Sequence, residues 1–319
     1  APSFGATSCG DTRSYGKSPV GDLTTGNGNG CTGEPAELGL HLSAMVRLTR
    51  SNGVEFVAQA TTSRLLVTIP PRHLKSFSTA VCLPAYRLGL DPTLKIGVAV
   101  YGEELAREHM SKVRTILDER WFRTTFPDLA LASQRVDALQ TKAGGGLRYV
   151  SVGGAFTGLG INLLIIDDIL KAQDAGSTAL RDQAERYVRQ TCMTRFDDAR
   201  ATRIIAILQR LHLHDLPSVL VEMGFAHLNL PSVITHDLAL PSYDGIQEAW
   251  QAGDLLAPNR FPQEQLTRLQ AEMGTAAFSA QYLQEPVAGD GTIVDFSRLH
   301  FVDQPLPRDD IQYAVMSID

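Results

Sequence analysis

Lys75 and Ser76 follow an apolar run ending at Ile69 and a turn, PPRHL, a setting in which a lysine-serine pair is a candidate for gripping phosphate. The lysine would bring a point charge on a flexible stem, and the serine hydroxyl would sit on a metal ion. The usual phosphate loop, G-x-x-x-x-G-K-[ST], closes its backbone around phosphates through two glycines. Here the first glycine is missing and Leu74 stands where the second should be. The stretch alone therefore does not define a site, and a second set of groups must be found.

LLIIDD (163–168) supplies one. Nucleotide hydrolysis needs a cation on the phosphates, a magnesium ion held by oxygen ligands and a group that orients water. Asp167 could complete the metal site with Ser76, and Asp168, pointing elsewhere as the strand ends, could polarise water as a general base. The same six residues also read as a buried strand whose two acids cap the next turn. Their position downstream of the Lys-Ser loop favours the chemical reading. Arg72 lies inside the loop, either as an arginine finger supplied in cis to a γ-phosphate or as a surface arginine. Gln209 directly follows the run RIIAIL (203–208), placed to sense a γ-phosphate or to bond to backbone.

Two other patterns carry less. His212 and His214 lack further ligands at a suitable spacing for a metal and read as helix-start residues. The glycines of AGGG (143–146) and GGAFTGLG (153–160) precede strands instead of opening a helix, which removes the context of a dinucleotide fingerprint. They are expected to form a mobile loop touching a polymer substrate.

The elements that must position these groups alternate along the chain. Strands are expected at 64–69, 95–100, 148–152, 162–167, 203–208 and 227–231. Helices are expected over 37–50, over 75–89 with an interruption near Pro84, over 103–121, over about 177–191 and from His214 on. Apolar strands alternating with helices define a mostly parallel α/β sheet covered on both faces. Ligands in such sheets bind beyond the carboxyl ends of the strands. PPRHLKS, Asp167-Asp168 and Gln209-Arg210 each lie just past such an end, and that convergence is the main argument for a nucleotide site.

Composition sets the frame. The 319 residues carry 44% hydrophobic and 20% charged side chains and a net charge of −6, as a globular protein would. No apolar run reaches the length of a membrane helix, so no membrane partner is expected. The cysteines, Cys9, Cys31, Cys82 and Cys192, are scattered, against a zinc ribbon or disulfide framework. Net charge gives no global reason for nucleic-acid binding, but Arg195, Arg200, Arg203 and Arg210 could make a local basic surface. Residues 1–36, rich in Gly, Ser and Thr, read as disordered or loosely packed. The chain begins with Ala and stops directly after an apolar run, so it reads as a fragment.

The combination of PPRHLKS, the DP and AVYGEELA stretch (91–106), WFRTTFPD (121–128), SVGGAFTGLGINLLIIDD (151–168), TRFDD (194–198), ILQRLHLHDL (207–216), HLNLP, AFSAQYLQEPV (277–287) and the terminal VMSID is collinear and specific. From about residue 38 to 319 the chain resembles the large subunit of the tailed-phage and prophage terminase, the DNA-packaging ATPase. The resemblance implies a RecA-like P-loop ATPase domain of the additional-strand type over 37–235, in which another strand separates the strands of Lys75 and Asp167. A helical linker subdomain over 236–310 would follow, then the first strand of an RNase H-like nuclease domain at 311–319.

It assigns Pro71, Arg72, His73, Leu74, Lys75 and Ser76 to the phosphate loop, Asp167 to magnesium, Asp168 to catalysis, and Gln209 and Arg210 to coupling. Asp319 would be a nuclease metal ligand, one carboxylate of a site that needs more. ATP and magnesium would be bound. Double-stranded DNA, a small subunit and the portal of a procapsid would be partners, with a ring of copies on the portal in the host bacterial cytoplasm. The chain departs from the family at Leu159 and Asn162, where Arg and Asp are usual, and at Ile169, His214 and Pro217-Ser218. A degenerate remnant that binds nucleotide without turnover is the alternative.

Overall fold

The computed structural model describes residues 64–287, apart from 155, 157–159, 197, 199–201 and 240–248. The expected helix over 37–50, the segment 1–36, the strand 311–319 and Asp319 lie outside the described residues.

Strand β1 (Arg64–Thr68) leads through the Lys75 loop into a π-helical stretch, Phe77–Cys82, and α1 (Leu83–Leu90). Pro84 explains the switch of helix type. It lacks an N–H and so cannot bond to the carbonyl of Ala80 four residues back. That carbonyl instead accepts from the buried Tyr149 hydroxyl. The interruption expected near Pro84 is thus found, as a wide turn closed from another strand.

Next come β2 (Lys95–Val100), α2 (Glu103–Asp118) and α3 (Arg120–Thr125). Glu103 and Glu104 in the first turn of α2 suit the positive end of its dipole. A meander follows, β3 (Leu131–Gln134), β4 (Ala138–Thr141) and β5 (Gly146–Ser151), then β6 (Leu163–Asp167) and α4 (Thr178–Tyr187), prolonged by a π-helical Val188–Cys192. The chain continues with β7 (Arg203–Leu208), α5 (Leu216–Glu222), β8 (Ala226–Asn229) and the small pair β9 (Leu238–Ala239) and β10 (Ala249–Trp250). It closes on α6 (Gln263–Met273) and α7 (Thr275–Gln281).

Eight strands form one sheet in the order β3-β4-β5-β2-β6-β7-β1-β8. The six from β5 to β8 in that order are parallel, and only β3 and β4 run against their neighbours. The mostly parallel α/β class expected from sequence is the class found. The additional-strand order is also found, since β7 separates β1, which leads to Lys75, from β6, which ends on Asp167. The antiparallel β3 and β4 were not expected. β3 is largely exposed and so has no apolar pattern to read.

The glycines of AGGG correct a second expectation. They make the tight β4–β5 connection, not a mobile loop. Gly144 has φ 93°, and a Cβ on Gly145 would fall 2.4 Å from the Pro92 carbonyl oxygen, so backbone packs on backbone there.

Alternate residues of the central strands feed two cores. Leu163, Ile165 and Ile205 pack under α1 and α2, while Leu164, Ile166, Ile204 and Ala206 pack under α4 and α5. Strands buried on both faces read as continuous apolar runs, and this is why they were legible. Cys82 and Cys192 lie one in each core, where burial pushes both thiols up to about 12. Neither should react with a maleimide at pH 8 in the folded protein, and both should react in denaturant. Peptide mass spectrometry reads this, and rapid labelling of either under native conditions would contradict the burial.

Candidate active site

Because β1, β6 and β7 are parallel, their carboxyl ends share one edge of the sheet, and the chain beyond each supplies a polar group. Asp167 is the last residue of β6 and is fully buried. Its Oδ1 accepts from Ser76 Oγ at 2.9 Å, and its Oδ2 lies 3.3 Å from Nε2 of His109, which α2 carries into the core. Asp168 breaks out of the strand with φ 38°, turning its carboxylate towards the loop after β1. There Oδ2 meets Lys75 Nζ at 2.5 Å, with the side chains 20% and 7% exposed. Burial raises the Asp168 pKa above the ordinary carboxylate value. The lysine works against that rise, and the neighbouring Asp167 adds to it. A backbone hydrogen bond from Gln209 also favours the charged carboxylate.

The loop reaches this arrangement without glycine. Arg72 and Leu74 have φ 64° and 60°, the left-handed conformation that glycine adopts freely. Leu74 therefore takes the backbone shape of the missing second glycine at a cost of about 1–2 kcal/mol. The Leu74 carbonyl starts the helix by accepting from Ser78 N at 2.9 Å, and Lys75 O accepts from Thr79 Oγ1 at 2.8 Å. His73 donates Nδ1–H to the Pro71 carbonyl at 2.9 Å and stacks on Phe261, with ring centroids 4.7 Å apart. Burial, reinforced by Arg260 and Lys75, lowers its pKa.

Lys75, Ser76, Asp167, Asp168 and Gln209 are thus brought together. Pro71, Arg72, His73 and Leu74 form the strained rim, with Arg72 exposed and its charge acting on the Tyr282 phenol. Arg210 turns away. Its Nε lies 3.0 Å from Asp215 Oδ2, and its Nη2 donates to Ser218 Oγ at 3.0 Å. Asp215 also caps α5 and accepts from Leu211 N at 2.8 Å, while Arg210 N donates to Gln284 Oε1 at 3.0 Å.

Arg203 opens β7 and Arg210 follows its end, about 20 Å apart by strand rise. Arg203 and Arg210 therefore do not share one patch, and Arg200 lies outside the described residues. Sequence reasoning missed His109, Asp215 and Gln284. Of these only Asp215 left a signal, as the acid just before a Leu-Pro helix start.

Two polar atoms in this cluster are underused. Beyond its ion pair, Lys75 Nζ has no hydrogen-bond partner, and Gln209 Oε1 is buried without one. A hollow lined by Asp168, Gln209 and Asp215 beside them has room for about one water. Spare ammonium donors suit an anion. The Ser76 hydroxyl and Asp167 carboxylate are hard oxygen donors that fit magnesium, an ion usually held by one or two protein ligands with phosphates and waters. Among the described residues no cluster of three or more His, Cys, Asp or Glu offers an all-protein metal cage.

This defines the class: a mostly parallel α/β protein in which a lysine-serine loop after one strand meets paired acids from a strand one place removed in the sheet. No protein-family model matches the chain, and no curated protein matches it in sequence. Solved structures do resemble it. The large terminase ATPase domain of Thermus phage P74-26 is 13% identical, with 72% of this chain covering 90% of that one at a TM-score of 0.46. The large terminase of a thermophilic bacteriophage, in complex with ADP, is 10% identical, with 76% covering 52% at 0.44. The N-terminal domain of the phi29 DNA packaging ATPase is 13% identical, with 55% covering 86% at 0.32.

The Lys75–Asp168 pair has a measurable signature. Lys75→Met strands a buried carboxylate and should destabilise the full chain by about 3 kcal/mol. Adding Asp168→Asn should restore most of that loss. Urea titrations of the single and double variants test this, and equal stabilities would show that the two groups do not depend on one another.

Proposed function

We propose that this chain is the ATP-hydrolysing motor part of a terminase large subunit, driving double-stranded DNA into a procapsid. The observation that carries the reading is the Lys75, Ser76, Asp167 and Asp168 cluster, assembled from two strands with a third between them. The sequence resemblance set out above supports it.

In this reading the γ- and β-phosphates take the spare donors of Lys75. Ser76 and Asp167 would hold magnesium, which when bound neutralises charge building on the phosphates. The ammonium that now pairs with Asp168 would be shared with phosphate oxygens, freeing the carboxylate to accept a proton from the attacking water. Gln209, whose backbone N–H already bonds Asp168 and whose side-chain oxygen is unpartnered, would orient that water or the γ-phosphate. Arg72, exposed at the rim, would reach the γ-phosphate as an arginine finger. Arg210, clamped by Asp215 and reached by Gln284, would pass the state of the β7 end to the residues around α7.

The division into an ATPase domain over 37–235, a helical subdomain over 236–310 and a nuclease strand with Asp319 belongs to the same reading. So do the small subunit, the portal, a ring of copies and a place in the host bacterial cytoplasm. Among the described residues no helix is long and apolar enough to cross a membrane.

Steady-state hydrolysis, with and without double-stranded DNA, decides between motor and remnant. Magnesium-dependent turnover should fall at least about 100-fold in Lys75→Ala and in Asp168→Asn. Turnover unchanged in both would remove the site assignment. Binding of labelled ATP by the wild type with no turnover would assign the chain to the degenerate, nucleotide-binding class.

A further inference from the structure

α2 lays an apolar stripe on the sheet through Ala106, Met110, Val113, Ile116 and Leu117, and His109 interrupts it. The ring is 3% exposed. A buried polar ring is costly unless bonded, and this one is bonded on one side only. Nε2 lies 3.3 Å from Asp167 Oδ2, whereas Nδ1 is buried with no partner. Since a carboxylate only accepts, Nε2 carries a proton in this bond, and Nδ1 is left without a partner. A phenylalanine would fill the same hole without that orphan, and the edge-on contact with Tyr149 would survive it. What histidine alone supplies is a donor aimed at Asp167.

Asp167 has two oxygens, and each is held by a different element. Ser76, at the start of the helix after the loop, donates to Oδ1, and His109 from α2 donates to Oδ2. The terminal torsion of aspartate is broad and nearly two-fold, so a single hydrogen bond leaves the carboxylate free to rock or exchange oxygens. Two bonds from opposite sides fix its plane. With Oδ1 fixed, the Ser76 O–H stays turned onto it, and the serine oxygen keeps its lone pairs for another partner.

We infer that His109 is a positioning residue that locks the Asp167 carboxylate so that Ser76 and Asp167 present their oxygens to a divalent cation as a pair. It touches neither nucleotide nor cation and acts through Asp167. The inference rests on the nucleotide-site reading above but concerns cation affinity instead of turnover.

The test uses the full chain with three substitutions. In glutamine the amide nitrogen is as many bonds from Cα as Nε2 is in histidine, so His109→Gln keeps the donor. His109→Asn places it where Nδ1 lies, and His109→Phe keeps the volume and removes it. Two quantities are read: Mn2+ affinity in the presence of ADP by electron paramagnetic resonance, and the Mg2+ concentration giving half-maximal hydrolysis at saturating ATP. His109→Phe should weaken both about tenfold or more, as loss of an outer-shell partner does. The Michaelis constant for ATP at saturating Mg2+ should change less than about twofold, and His109→Gln should stay within about threefold of wild type.

If His109→Phe does not fold, Gln against Asn makes the same comparison, with Asn the weaker. Cation affinity unchanged in Phe, or equal losses in Gln and Asn, would overturn the inference. A wild type that binds Mn2+ with ADP yet never hydrolyses ATP would remove the motor reading, and the Mn2+ affinities would still decide the role of His109.

Discussion

Neighbouring strands lie about 4.8 Å apart, so the ends of β1 and β6, with β7 between them, are separated by about 10 Å. No short side chain crosses that gap. Lys75, on a four-carbon stem, meets Asp168 at 2.5 Å only because the loop after β1 bends back over β7 and because Asp168 leaves its strand sharply. The same geometry lets Ser76 reach Asp167. The loop path, the break at the end of β6 and the Gln209 N–H bond to Asp168 all follow from spanning one intervening strand.

Two charges taken out of water in this way stabilise little by themselves, because desolvation offsets much of their attraction. Replacing both by apolar residues would satisfy the fold. The pair is better understood as a poised one: a buried ammonium with spare donors beside a carboxylate whose proton affinity burial has raised. Hydrophobic burial, by contrast, is ample on either side of the sheet, where Leu164 and Ile165 of β6 are both fully buried among opposite cores. The framework therefore carries the cost of the polar edge.

Much of this was legible in sequence, for reasons that differ by residue. The central strands announced themselves because burial on both faces leaves unbroken apolar runs, and the chemistry sat just past their ends. Lys75, Ser76, Asp167, Asp168 and Gln209 were singled out by that placement, by the lysine-serine and paired-acid patterns, and by the family resemblance those stretches carry. His109 was not, because it is 58 positions from Asp167 and sits within an apolar helical stripe, where only the rotation of α2 on the sheet decides its neighbour. Gln284 meets Arg210 across 74 positions for a similar reason. Arg203 and Arg210 lie at opposite ends of β7, a separation already implied by a strand over 203–208 and missed by grouping the arginines on charge alone.

Strain has a pattern of its own. Among the described residues four non-glycine positions have left-handed backbone: Arg72, Leu74, Asp168 and Gln284. Two lie in the loop after β1, one is Asp168 at the end of β6, and the fourth bonds the residue after Gln209. Each such residue costs about 1 kcal/mol or more and persists only where its contacts over-determine it. Those contacts are visible: Ser78 N on the Leu74 carbonyl, Lys75 on the Asp168 carboxylate, Arg210 N and the Gln281 carbonyl on the Gln284 amide. Breaking the Lys75–Asp168 pair therefore does more than separate two charges. It removes one of the contacts that hold φ 38° at the end of β6, beside the Asp168 N–H bond to the Ile207 carbonyl and the backbone bond from Gln209.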